Sequence, residues 1–556
     1  MIKITQTKAQ ESSNAIERLY IAMRHLFNRG FYKPMGISGE TLREALLSLR
    51  PEIYGSIAEN KTELDGLLYV IDRLPIGIEE CQFIDLTADE GFSHSGFETI
   101  IPSKRRRNCY RIDSHQMNIE VTRGRSDVYD ILTHLTFLFI EANKIKDHVL
   151  LNEQGKTIRE WQLLEDIVLN NRKIATKERE VLLSHVATIL GRTFSEIKKA
   201  DKDFATYNNK NRFFSLIYWM GKLAIKETLE GDKRSIKFSA TLRERIGHHI
   251  YGEVWADSIK QNLEKAGLLN REIHIISANM HSVMNSIYAP IFLPEEAKNN
   301  EGIALFELLS EEKNKAFRKK IKKAASKMGL IYIKDKSGTN INVQIIDTDK
   351  IDFQKSNYKV TNKNKPVLIV MDYAFGEQAY ETMDELLKPY TCEKGKLHHL
   401  NVKSVSIMGK AGILQGGKGD IMIPSAHFFE GTADNYPFKN ELSKEDFENS
   451  DLGVFEGTMV SVLGTSLQNK NLLEFFKNST WNAIGLEMEG AHYQKAIQAA
   501  SQIRGNIGKD VQVRYAYYAS DNPLETGSTL ASGGLGTTGV KPTYIITQKI
   551  LEQIFN

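Results

Sequence analysis

Cysteine is nearly absent from these 556 residues. The three present, Cys81, Cys109 and Cys392, are far apart and odd in number. They offer neither a disulfide framework nor the closely spaced ligands of a zinc site, and they fit a reducing compartment. No stretch approaches the ~18 consecutive apolar residues of a membrane-spanning helix. The N-terminus, MIKITQTKAQESSN, has no apolar signal core. There is little excess of either charge: the net of +3 is too small to argue for a nucleic-acid or membrane partner. These absences lead us to expect a cytoplasmic protein with no membrane anchor and no metal centre.

What is present is ordinary globular composition, 41% hydrophobic and 26% charged. At ~100–200 residues per domain the length implies two to four domains. The first half reads as helix. In Ser13–Arg29 the residues Ile16, Leu19, Tyr20, Met23 and Leu26 recur at a spacing of three and four, one buried face. Ser126–His148, Trp161–Asn170, Lys177–Leu190, Arg212–Leu229 and Ile236–Ala266 continue the pattern, and scarce proline suits it. Ala316–Lys327 is a basic helical run, and Leu330–Phe353 alternates like paired strands around Lys336-Ser337-Gly338. The polar, turn-rich segment after it sets the main boundary near 355. The expected division is a mainly helical domain over 1–295, a basic helix and hairpin-like connector over 296–355, and an α/β domain over 356–556.

That last stretch changes grammar. Val367–Phe375, Ser404–Gly409, Gly419–Phe429 and Gly457–Gly464 are short apolar runs of buried-strand type, separated by helical stretches. Strands alternating with helices imply a mixed sheet flanked by helices. Within it lies AIGLEMEG (Ala483–Gly490), and thirty residues on, after VQVRYAYYA, the pair Ser520-Asp521. Glu-Met-Glu presents two carboxylates about an apolar residue. A sugar with neighbouring hydroxyls needs a carboxylate acceptor, and a leaving purine needs a protonated acid at its edge. The two segments are candidates for both parts of a glycosidic-bond-cleaving site.

Four segments in order carry a family resemblance: the strand ending at Gly376-Glu377; Gly409-Lys410-Ala411-Gly412-Ile413-Leu414 followed by Gly419-Asp420-Ile421-Met422-Ile423-Pro424; Glu487-Met488-Glu489-Gly490; and Ser520-Asp521. Over roughly 366–556 the chain resembles the nucleoside phosphorylase and nucleosidase superfamily, which includes purine nucleoside phosphorylase, methylthioadenosine/adenosylhomocysteine nucleosidase and AMP nucleosidase. The N-terminal half resembles only uncharacterised bacterial proteins.

The resemblance puts Asp521 beside N7 of a purine as the acid, which needs a raised pKa from an apolar site. The bland reading is an aspartate capping the turn before Asn522-Pro523. Glu489 is the implied ribose clamp, Met488 its thioether support and Glu487 a supporting neighbour. The alternative is two ordinary glutamates in a first helical turn. Glu377 is the implied positioner of the attacking water, against a plain helix-start acid. Gly409, Lys410, Ala411 and Gly412 would form a glycine-rich turn whose amides approach the substrate. Lys410 departs from the small polar residues frequent there. It could hold a phosphate, free or on a 5′ position, or be a solvated surface lysine. Phe428 or Phe429 would stack on the base.

Hydrolysis is favoured over phosphorolysis because Ile407 stands where many phosphorylases carry an arginine, and the loop GEQAYE has none. Tyr517 likewise replaces an arginine of some nucleosidases, and Arg514 is nearby in sequence. Asp434, Tyr436 and Phe438, and the loop Thr526–Val540, are candidate flaps or plain surface loops. The expected reaction is hydrolysis of the N-glycosidic bond of a purine nucleoside or nucleotide, with no cofactor, in a homo-oligomer. The alternatives are a phosphate-dependent phosphorylase and a silent nucleotide-binding module.

The N-terminal half offers weaker signals. His134, Glu141 and His148 share one helix face but stand two turns, about 10 Å, apart. That excludes one metal bound by all three and favours a structural stripe. Arg123 and Arg125 at a helix start could bind an anion, as a regulatory contact. Lys104–Arg107 (KRRR) and the Ala316–Lys327 run lack interleaved aromatics and read as solvated faces. His248-His249 and His274/His281 specify no metal.

Overall fold

The structure is a computed structural model and describes residues 7–170, 174–361, 365–432, 434–525 and 535–556. The chain divides into two units. The first comprises 1–122, 127–247 and 466–469, the second 123–126, 248–465 and 470–556.

The first unit contains the expected helices. Helix α1 (Lys8–Arg29) opens on a capping box between Thr7 and Gln10 and buries Ala15, Ile16, Leu19, Met23, Leu26 and Phe27. Helix α2 spans Gly124–Val149, and α3 spans Arg212–Leu229. Helix predominates in the unit, but it also holds a small sheet that the sequence did not announce. Six short strands, β1 (Phe31–Tyr32), β2 (Phe83–Thr87), β3 (Thr99–Ile100), β4 (Cys109–Arg111), β5 (Gln116–Glu120) and β6 (Ser235–Phe238), form a mixed sheet in the order β1-β6-β2-β5-β4-β3. Each has at most five residues, and burial along β2, β5 and β6 does not alternate strictly, so no period of two marks them.

One reading of this unit changes in part, and one keeps its form. In the KRRR segment Lys104 and Arg106 are exposed, but Arg107 is buried, bonding Asp127 at 2.8 Å and Asp130 at 2.5 Å, and Arg105 reaches Asp130 at 2.9 Å. The His134–Glu141–His148 stripe is structural, each member with its own neighbour. His134 lies 3.5 Å from Asp130, Glu141 accepts the Glu63 amide at 2.8 Å, and His148 Nδ1 contacts the Ile189 carbonyl at 2.9 Å.

The second unit is built on ten strands: β7 (Glu272–Ser277), β8 (Leu330–Ile333), β9 (Val343–Asp347), β10 (Val367–Met371), then, after a small hairpin of β11 (Tyr390–Thr391) and β12 (Leu397–His398), β13 (Asn401–Ile413), β14 (Ile421–Phe429), β15 (Asn435–Pro437), β16 (Val454–Ser461), β17 (Ala483–Glu487) and β18 (Gln512–Asp521). Their order is β15-β14-β16-β17-β13-β7-β10-β9-β8, with β18 paired to β13 and β14. The sheet is mixed and covered on both faces, which is why its strands read as continuous apolar runs. On β10, Val367, Ile369 and Met371 face one core, and Leu368 and Val370 the other. Helices α4 (Ile250–Lys265), α5 (Met280–Phe292), α6 (Lys315–Ala325), α7 (Gln378–Leu387), α8 (Gly490–Gln498) and α9 (Val540–Phe555) complete the layers. Trp255, Met383 and Tyr493 place α4, α7 and α8 on the first core. Val283, Ile321 and Ile550 place α5, α6 and α9 on the second.

The expected divisions at 295/296 and 355/356 do not coincide with this partition. Strand β7 lies mid-sheet, parallel to both β10 and β13, and the chain from His248 to Thr465 and from Lys470 onward belongs with the C-terminal sheet. β8 and β9 extend the same sheet rather than forming a connector. Among the described residues no helix is long and apolar enough to cross a membrane.

Candidate active site

The site forms at the ends of β13, β17 and β18. β13 and β18 run parallel, with Gly409 opposite Tyr517, Lys410 opposite Tyr518, Ala411 opposite Ala519 and Gly412 opposite Asp521. The register slips between Ala411 and Gly412, a bulge of the kind that re-aims side chains. Gly412 then pairs with Leu486 on β17. Gly409–Gly412 is therefore strand, not the expected turn. Its apolar neighbours extend the ladder, and the true turn follows at Gly416–Gly419, where Asp420 accepts the amides of Gly417 and Gly453.

The bulge leaves Asp521 at the end of β18 with its side chain buried. Asp521 Oδ1 lies 2.5 Å from Ser520 Oγ, while Oδ2 is buried without a hydrogen-bond partner. Ser520 Oγ also lies 3.1 Å from the Ala411 carbonyl. One hydroxyl proton cannot serve both oxygens. Donation to Asp521 Oδ1 leaves Oδ2 as the oxygen on which a proton can sit. Burial pushes the Asp521 pKa up, and Ser520, Lys410 and Lys418 pull it part of the way back. Burial thus shifts Asp521 toward its neutral form, while Oδ2 makes no hydrogen bond.

The two glutamates have different roles. Glu487, the last residue of β17, is buried. Its Oε2 accepts the amides of Glu489 and Gly490 at the start of α8, and its Oε1 meets Ser461 Oγ. Burial and the charge of Glu489 push its pKa up to about 8. It holds the turn in shape. Glu489 is partly buried and faces the other way: Oε1 accepts the Gly376 amide at 2.9 Å, and Oε2 the Met488 amide at 3.3 Å. Burial raises its pKa, offset by those amides and by Arg123 and Lys410. Each oxygen retains a lone pair for a sugar hydroxyl. Met488 is buried beside Gly376.

Glu377 pairs with Arg125 at 2.9 Å, and its amide donates to Ser126 Oγ at 2.8 Å. The helix start that read as a separate anion site thus supplies the partners of Glu377. Arg123 lies over Phe375 at 4.6 Å and near enough to Glu489 to lower its pKa. Next to this pair Glu381 is buried, its pKa raised to about 8 by burial and by the charge of Glu377. No short motif announces Arg123, Arg125 or Glu381 as neighbours of the site; the contacts span some 250 residues of chain.

The aromatic expectations divide. Phe428 is core: it is buried and stacks on Trp481 at 4.2 Å. Strand alternation turns Phe429 to the other face, partly exposed and edge-on to His492 at 4.7 Å. Tyr436 and Phe438 belong to an ordered edge, β15 and the residue after it, with Phe438 stacked on His427. The Asp434 carbonyl accepts from the Phe429 amide across the turn between β14 and β15. Arg514 bonds Gln553 at 2.7 Å and Gln512 at 3.0 Å, not the site. Ile407 is buried in the core. Residues 526–534 of the glycine-rich candidate lid lie outside the described residues; Gly536–Gly539 form a short 3-10 turn leading into α9.

His427 was not singled out by sequence. It is buried, held neutral by burial, and its Nε2 lies 3.1 Å from Tyr517 Oη. A Cβ on Gly490 would sit 2.3 Å from its ring, so only glycine lets α8 begin there. His249, Asp384 and Glu385 approach within 4.8 Å of one another. Both carboxylates are taken by cations, Asp384 by Arg504 and Glu385 by Lys388 at 2.5 Å.

A cavity of about 560 Å³ opens beside Lys410 and Tyr518. It is lined among others by His281, Lys315, Arg318, Lys319 and Lys322. Lys315, Lys319 and Lys322 of the basic run are exposed, as a solvated face would be, and also line this cavity together with Lys410.

The profile of a family of unknown function, DUF6909, matches residues 40–299 and 293–556. No curated protein matches the chain. Among solved structures it is similar to futalosine hydrolase of Helicobacter pylori strain 26695 (14% identity over 51% of this chain and 98% of that one, TM-score 0.30). It is also similar to 5′-methylthioadenosine/S-adenosyl homocysteine nucleosidase of Campylobacter jejuni (12%, 51% and 99%, 0.30). A third is a putative methylthioadenosine nucleosidase of Weissella paramesenteroides ATCC 33313 (14%, 50% and 99%, 0.29). Likeness at these values carries no weight for the chemistry, which rests on the residues above.

Proposed function

We propose that this chain, which belongs to that family of unknown function, hydrolyses the N-glycosidic bond of a purine nucleoside or nucleotide. The observation that carries the reading is Asp521: a buried carboxyl with a raised pKa, one oxygen held by Ser520 and the other without a partner. A binding module has no use for a proton held at that position; a departing purine anion does. The four-segment motif order supplies the purine and the sugar.

In this reading Asp521 gives its proton to the base as the C1′–N bond breaks. Glu489, its oxygens fixed by the amides of Gly376 and Met488, accepts the ribose hydroxyls and stabilises positive charge growing on the ring. Glu487 fixes the turn that presents Glu489. Glu377, held by Arg125 and by Ser126, orients the attacking water. Phe429, not Phe428, packs beside the base. No step draws on a metal or organic cofactor.

The test is chromatography of free base released from purine nucleosides and their 5′-monophosphates, with and without phosphate. Release without phosphate is the expected result. Release only with phosphate makes the protein a phosphorylase, and silence across all substrates removes the glycosidase reading.

A further inference from the structure

The cavity beside Lys410 is unusual in its charge. Lys315, Arg318, Lys319 and Lys322 on α6 and Lys410 on β13 line it together with His281, and its described lining contains no Asp or Glu. Helix α6 explains how four cations reach one wall. Ile321 and Ala325 are its buried residues, and 315, 318, 319 and 322 recur at the three- and four-residue spacing of a single stripe. Part of this charge is already engaged. Arg318 donates to the carbonyls of Leu309 and Glu311 and reaches Glu312 at 3.3 Å; Lys315 lies 3.6 Å from Glu312. These bonds fix Arg318 in place, and the stripe stays strongly cationic.

Backbone contributes in the same sense. Asn279, His281 and Ser282 of the α5 start, and Gly539, Val540 and Thr543 of the α9 start, line the cavity, so the positive ends of a 13-residue and a 16-residue helix meet there. Asn285, buried in the lining, bonds Tyr544 through its Nδ2, and its Oδ1 has no partner. Turned over, the same amide accepts from Tyr544 and places its NH2 on the unpartnered side.

Lys410 ties this cavity to the reaction centre. It lines the cavity and is also close enough to Asp521 and Glu489 to lower both pKa values. Resting on the glycosidase reading, we propose that the cavity receives the phosphate group on the 5′ carbon of the substrate, making the substrate a nucleotide and not a nucleoside. A dianionic phosphate matches a carboxylate-free wall of lysines and arginine, and 560 Å³ leaves room for more than one phosphoryl group.

The experiment compares base release from adenosine and AMP, guanosine and GMP, and inosine and IMP. It uses the full chain and the double variant Lys319→Ala/Lys322→Ala, whose residues take no part in the bond cleavage. The expected result is a strong preference for each monophosphate, carried in KM. The double variant should lower that preference on the order of 10–100-fold, the effect of losing one or two charge-assisted contacts, with cleavage of the free nucleoside unchanged. Equal use of nucleoside and monophosphate, unmoved by the double variant, overturns the inference and leaves the glycosidase intact. A nucleoside cleaved only with added inorganic phosphate, with a phosphate KM raised in the variant, moves the anion from the 5′ carbon to the nucleophile and also overturns it. If nothing releases base, the glycosidase reading falls by itself. Calorimetric titration of AMP and of pyrophosphate then decides the cavity: binding weakened in the double variant supports a phosphate site, and equal or absent binding overturns it.

Discussion

Replacing Asp521 by asparagine separates chemistry from folding. The amide oxygen still accepts from Ser520, and the volume is nearly unchanged, but no proton is available for the departing base. General acid catalysis contributes about 10²–10⁴-fold, or ~2.7–5.4 kcal/mol of barrier, so kcat on an ordinary purine substrate should fall by that factor. Stability should move the other way. Burial raises the pKa of Asp521 above its unfolded value, so the folded state binds the proton more tightly. The group's contribution is therefore most favourable below the unfolded pKa and is lost as pH rises toward the folded one. A neutral amide escapes that loss, and the thermal midpoint at pH 7 should be unchanged or higher. The same ionisation should give wild-type activity an alkaline limb that the variant lacks. The decisive comparison uses a substrate whose base needs no proton. In 7-methylguanosine the methylated N7 already carries positive charge, so the base leaves neutral. The assay is single-turnover release from guanosine and 7-methylguanosine, or their monophosphates, by both proteins. The expected loss is about 10²–10⁴ on the first and under about tenfold on the second. Equal losses on both, or none on either, refute Asp521 as the acid.

Glu489→Gln should reduce kcat/KM by about 10²–10³, mostly in kcat, because the lost charge acts on the oxocarbenium-like state rather than on bound substrate; a 2′-deoxy substrate should show a smaller loss, and an equal loss counts against the clamp. Glu487→Ala strands the amides of Glu489 and Gly490 and the Ser461 hydroxyl, and should cost about 2–4 kcal/mol in denaturant unfolding; an unmoved midpoint refutes its anchoring role. Arg107→Ala leaves Asp127 and Asp130 buried without their shared cation. It should destabilise by about 3–5 kcal/mol, and a loss below about 1 kcal/mol would return the KRRR segment to the solvated surface.

The parts legible in the sequence are those whose signal is local. The helical faces of α1 and α2 follow from the three- and four-residue spacing of apolar residues, and β10, β13, β14, β16 and β18 from short apolar runs. The Glu-Met-Glu and Ser-Asp segments fall on the ends of β17 and β18, where side chains leave the sheet. What was illegible depends on pairing. The hexapeptide Glu272–Ser277 carries a histidine and a serine and lies about a hundred residues from its partner β10. Only its position mid-sheet, with His274 bonded to Ser404 at 2.6 Å, moves the boundary of the second unit back to 248. Gly409–Gly412 misled for a related reason. Glycines in a row read as a turn, yet here they allow a bulge in a strand whose ladder is set by β18.

Charged residues show the same limit more sharply. A stretch of lysines and arginines has one composition whether it faces water, a buried carboxylate or a cavity. KRRR and KKIKK look alike by composition, yet Arg107 is buried on two aspartates while α6 turns its cations to the cavity beside Lys410. Periodicity separates the two cases. In α6 the apolar residues Ile321 and Ala325 mark the buried side four apart, so the remaining cations must share the other faces, and a neighbouring wall decides whether water or a ligand meets them. KRRR has no such apolar marker, and its partners lie twenty or more residues on, in the first turns of α2. The sign of a patch is thus readable from sequence, whereas its occupant is set by the wall opposite. That wall here includes Lys410 of β13.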